Sequence, residues 1–163
     1  MKCLEKISVF LRMKFPHVFK RKYLYKQISC YYSKKEVLLL IPSGELLPFG
    51  GEIEIEPIFE IKAPFKKAEL EQKIEECFAL CWSKTVDGFP KGQSVIEKYV
   101  NVKGHRKIVK MFELFYLIYE KDTKEYVLNK TFKSIAEGCY SGTEEIRFGE
   151  KIDYDCILHL IQE

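Results

Sequence analysis

Along residues 50–64, GGEIEIEPIFEIKAP, charged and apolar side chains alternate, with Glu52, Glu54, Glu56 and Glu60 at even positions and Ile53, Ile55, Phe59 and Ile61 at odd ones. A two-residue period is that of a half-buried β-strand. Other stretches keep a helical period. Leu4, Ile7, Leu11 and Phe15 predict a first amphipathic helix over residues 3–15, ended by Pro16, because proline disfavours helix in the residue before it. In KKAELEQKIEECFALCW, Leu70, Ile74, Cys77, Phe78 and Cys81 fall on one side and charges on the other, which predicts a long helix near 66–82.

The remaining stretches read mostly as strand and turn. KYLYKQISCYYSKKEVLLLI, residues 22–41, is rich in aromatic and β-branched residues and predicts two strands joined at Ser33-Lys34-Lys35. PSGELLPFGG at 42–51 and VDGFPKGQ at 86–93 concentrate proline and glycine, so the first predicts a chain reversal and the second a loop. RKIVKMFELFYLIYE at 106–120, KDTKE and YVLN predict a hairpin, although a long buried helix would use the same apolar run. EEIRF at 144–148 suits a short strand, and Asp153 before YDCILHLIQ suits the N-cap of a short closing helix. The expected architecture is a single compact α+β domain over 1–163. A mostly antiparallel central sheet of about six strands would carry an N-terminal helix, the long helix and a C-terminal helix. Strand, break and helix recur in EIEIEPIFEIKAPFKKAELEQKIEECFALC and in EEIRFGEKIDYDCILHLI, a weak internal echo.

Composition agrees with one domain: 163 residues, 47% hydrophobic and 14% aromatic, supply apolar side chains for a single core. Charges are spread almost throughout, which fits neither disorder nor a membrane span. Charged residues interrupt the N-terminal apolar positions, so no secretory signal is expected. The six cysteines, at 3, 30, 77, 81, 139 and 156, have irregular spacing and read as mostly reduced, buried thiols of a cytoplasmic protein.

The net charge of +3 is unevenly divided, because residues 1–35 hold ten Lys or Arg against one Glu. Such a segment meets nucleic acid or anionic membrane, or simply solvates a face. Within it, KRKYLYK interleaves Lys20, Arg21, Lys22 and Lys26 with Tyr23 and Tyr25, as stacking platforms for single-stranded nucleic acid do. Tyrosine is also common in strands.

The glutamate row has four readings: a solvated face guarding an edge strand, a docking stripe for a basic partner, an acid/base pair, or a metal site. Alternate residues on a strand stand about 6 to 7 Å apart and repel modestly through water. Pro57 supports an edge, since it cannot donate a ladder hydrogen bond. A glycosidase-like pair needs carboxylates facing each other across a cleft, and calcium needs a converging loop, so catalysis and metal are the weaker readings. Cys77 and Cys81 share a helical face, but zinc wants four ligands, and no CxxC or HxxxH accompanies them. His17, His105 and His159 are scattered; a cysteine-dependent enzyme would need its partners to meet only in the fold. No Walker loop or GxGxxG is present, and no cofactor is expected.

The segment FEIKAPFKKAELEQKIEECFALC, a strand, an ordered break and an amphipathic helix, together with the glutamate-lined strand, resembles bacterial toxin-immunity proteins of the contact-dependent growth inhibition (CdiI) type. That resemblance implies a cytoplasmic binding protein, not an enzyme, that neutralises a cognate toxin domain, often a basic nuclease. Glu52, Glu54, Glu56 and Glu60 would then contribute to the contact. The basic leading segment departs from the acidic character expected of such a protein. The alternative is a nucleic-acid-binding module using Lys20 to Lys26, and no membrane partner is expected.

Overall fold

The computed structural model describes residues 23–33, 36–48 and 50–162. The helix expected over 3–15, and with it Lys20, Arg21 and Lys22, lies outside the described residues. Within them the chain is a single α+β domain in the order β1 (Tyr25–Ser33), β2 (Val37–Leu47), β3 (Gly51–Glu54), β4 (Phe59–Lys62), α1 (Lys67–Leu80), β5 (Thr85–Asp87), α2 (Val95–Tyr99), α3 (His105–Met111), β6 (Glu113–Glu120), β7 (Glu125–Ser134), β8 (Cys139–Gly149) and α4 (Tyr154–Gln162).

The main sheet runs β4-β2-β1-β6-β7-β8, every neighbouring pair antiparallel. Its two faces bury different clusters, as the pleat requires. On one face Ile28, Cys30, Leu38, Leu40, Phe115, Leu117 and Leu128 meet Leu70, Ile74 and Cys77 of α1 and Ile157 and Ile161 of α4. On the other, Tyr31, Leu39, Ile41 and Leu114 meet Ile96 of α2 and Ile108 of α3. The result is a sheet between two unequal helical layers, and the echo of strand, break and helix corresponds to β4 with α1 and β8 with α4.

Three sequence expectations change. The reversal expected within 42–51 falls at its end: β2 runs through PSGELL to Leu47, and β3 returns antiparallel from Gly51. Pro42 is the last residue paired with β1, so beyond it β2 leaves β1 and takes β3 and β5 as neighbours instead. Gly44 permits this crowding: a Cβ there would come within 2.6 Å of both the Ile55 side chain and the Lys84 carbonyl. Second, residues 105–111 form α3, not the start of a strand, because Ile108, Val109 and Phe112 are buried at helical spacing while the intervening residues stay exposed. Third, the strand anticipated at 144–148 is the 11-residue edge strand β8, whose polar first half hid it.

Candidate binding cleft

The glutamate stretch is divided by Pro57 into β3 and β4, which lie one after the other along the outer edge of β2. Register fixes the side of each carboxylate, since directly paired residues project to the same face. Glu54 pairs with Ser43, Glu52 with Glu45 and Glu60 with Leu39, so all three point to the α2 and α3 side. The alternation therefore reads the face correctly. It does not read what covers it.

Glu52 and Glu54 reach back over β1 and meet its polar side chains. The Glu52 carboxylate accepts from the Tyr25 hydroxyl at 2.9 Å, the Ser43 hydroxyl at 2.6 Å and the Gln27 side-chain amide. Glu54 Oε1 accepts from the Tyr31 hydroxyl at 2.8 Å. Burial raises the Glu54 pKa; hydrogen bonds from Tyr31 and Ser29 work against that rise, and the charge of Glu52 adds to it. Tyr31 is itself pushed well above its usual range by burial and by Glu54. These two glutamates are held acceptors, not a mobile solvated row.

Glu56 and Glu60 behave differently. Glu56 is exposed in the break after β3, and its backbone carbonyl accepts from Lys84 Nζ at 2.9 Å. Glu60 accepts from Lys62 at 3.0 Å and from the Tyr99 hydroxyl at 3.0 Å. The Lys62 contact leads the lowering of its pKa. The structure thus brings Glu52 and Glu54 together, leaves Glu56 at the rim, and places Glu60 beside α2.

A cavity of about 650 Å³ opens beside β3, lined by the consecutive residues Glu52 to Glu56, by Lys84 and Val86, and by the 90–98 segment through Gln93, Val95, Glu97 and Lys98. The ladder explains why a run of consecutive residues lines it. The Ile55 amide donates to the Pro42 carbonyl at 2.9 Å, so the odd residues of β3 bond to β2. The backbone groups of Glu52 and Glu54 consequently face away from β2, toward the cleft, and no described strand pairs with them. The far wall is fixed by a capping box: Ser94 and Glu97 hydrogen-bond reciprocally, and the Glu97 carboxylate also receives the Gly104 amide at 2.5 Å. Ser94-x-x-Glu97 was the sequence signal for α2, and only the short reach of the helix concealed it.

No protein-family model and no curated protein sequence matches the chain. Among solved structures it is similar to the Protein of Unknown Function NMB0488 from Neisseria meningitidis, at a TM-score of 0.53 and 7% identity, over 86% of this chain and 94% of that one. That likeness shows the fold alone.

The other candidates are placed as follows. Tyr23 stacks on Trp82 at 3.6 Å between ring centroids, Tyr25 packs edge-on against Trp82, and Lys26 donates to the Phe78 carbonyl at 3.0 Å. The described part of KRKYLYK is thus engaged in the fold. Cys30, Cys77 and Cys81 are buried free thiols of the main core, and burial pushes each toward its protonated form. Among the described residues no His, Cys, Asp and Glu cluster could hold a metal ion, and no helix is long and apolar enough to cross a membrane.

Proposed function

We propose that the protein is a binding protein that neutralises a cognate protein partner, an immunity protein against a toxin domain of nuclease type, and that it engages this partner along the outer edge of β3. The observation that carries the reading is the cleft: one of its walls is a strand edge that no described strand pairs with, the Glu52 and Glu54 backbone groups turned away from β2. An extended segment of a partner can add to such an edge by main-chain hydrogen bonds, with side-chain pockets supplying choice. Glu52 and Glu54, anchored from behind, keep the edge in place, while exposed Glu56 puts a negative charge at the rim for a basic side chain of the partner, with Glu60 farther along on β4.

The test takes whatever polypeptide the reading frame immediately before this chain's gene encodes, because on this reading a toxin and its antidote are made together. Co-expression is expected to rescue growth, and the purified pair to form a complex in which the Glu52 and Glu54 amides gain protection from hydrogen exchange. E56Q/E60Q is expected to slow association several-fold at low salt and to leave the folded state intact. Failure of rescue and of complex formation overturns the reading; a complex that leaves the β3 amides unprotected overturns the placement at β3.

A further inference from the structure

Between Lys84 and Lys110 seven basic residues face only two acids, Asp87 and Glu97. The flanking parts of the chain have the opposite sign, with ten acids against four lysines in residues 36–83 and ten acids against six basic residues in 112–162. Glu97 is engaged by the backbone amides of Ser94 and Gly104. The 84–110 stretch is therefore a basic block, and four of its seven cations, Lys98, Arg106, Lys107 and Lys110, lie on α2 and α3.

Helix α3 sorts its residues sharply. Ile108, Val109 and Phe112 are buried beneath it, so Arg106, Lys107 and Lys110 fall along the opposite side; Lys103 precedes the helix, just before its Gly104 N-cap, and all four are exposed. None of the four has an ion-pair partner among the described residues, whereas Lys62, Lys67, Lys73, Lys133 and Arg147 each have one. The helix is also fixed in place. His105 packs edge-on against Tyr140 at 6.1 Å, the Tyr140 hydroxyl donates to the Phe112 carbonyl at 2.8 Å, and the Arg106 stem lies so close over Gly138 that a Cβ there would fall 2.1 Å from it. Tyr99, the last residue of the adjoining α2, is 46% exposed.

We propose that this stripe binds the phosphodiester backbone of single-stranded nucleic acid. Three exposed cations on one side of α3, with Lys103 leading into it, suit a linear array of phosphates, and releasing the counterions condensed on that array drives the binding. The partly exposed Tyr99 ring on the adjoining α2, its hydroxyl donating to Glu60, offers a face on which an unpaired base can stack. Its residues are none of those in KRKYLYK or along the β3 edge.

The experiment measures fluorescence anisotropy of a labelled single-stranded oligonucleotide, a duplex of the same sequence and phosphatidylserine vesicles against the full chain at several salt concentrations. Arg106 is kept because it packs on Gly138, and K103Q/K107Q/K110Q is compared with wild type after its melting temperature is shown to be unchanged. Each single-strand phosphate contact contributes about 0.7 to the log-log salt slope, so the variant is expected to lose about 2 from that slope and at least tenfold in affinity. An unchanged slope and affinity overturns the proposal, as does loss of binding only in K20Q/R21Q/K22Q. So does binding to vesicles but not to the oligonucleotide.

Discussion

Glu54 carries a carboxylate in a place that resists charge, between Tyr31, Ser29 and Glu52. Because its folded pKa lies above that of the unfolded chain, the protonated form is the one the fold prefers. Its contribution to stability is therefore full below the ordinary carboxylate range and is lost as pH rises through the raised value. E54Q, which keeps an oxygen for the Tyr31 hydroxyl, is expected to melt above wild type at pH 8, with the gap closing as pH falls through the carboxylate range. A pH-independent gap in thermal melts would contradict this. The parity of residues 52, 54 and 60 was legible in the sequence because strand alternation is a local rule. The hydrogen bonds that hold Glu52 and Glu54 were not, because they depend on β1 residues more than twenty positions earlier and on the path of β2.

The elements that periodicity predicted are those with a long, one-sided pattern. The helix over Lys67–Leu80, the β1–β2 hairpin, the β6–β7 hairpin and the closing helix follow the sequence reading closely. What escaped it depends on tertiary partners: α3, whose few residues hide their period in a strand-like composition, and the second half of β2, where Pro42 and Gly44 read as part of the reversal. Proline fits there because β2 parts from β1 at that point, and glycine because another chain segment passes against it. Gly44→Ala would force the Ile55 side chain and the Lys84 backbone outward. Overpacking of this kind typically costs about 1 to 3 kcal/mol. Chemical denaturation is expected to show that loss, accompanied by faster hydrogen exchange at Ile55 and Glu45, the two amides that bond to Pro42 and Lys84.

At the scale of the whole molecule the two layers are unequal. The α1 and α4 side holds the larger cluster, while the opposite side rests on helices of five and seven residues over a smaller one. Short helices have little stability apart from packing. Native-state hydrogen exchange is thus expected to show α2 and α3 opening at lower free energy than α1 and the central strands. Simultaneous exchange of both layers would show that the domain opens only as a unit. The same layer carries the basic stripe and one wall of the cleft, while β3 forms the other.

Strand β2 is bonded to β1, β3, β4 and β5. Mechanically, it is a tie between the rim and the centre of the protein. A load applied along β3 passes through the β2 ladder in shear and arrives at β1, in the middle of the sheet, without crossing a flexible loop. A partner gripping that edge would pull, through the β2 ladder, on the centre of the sheet.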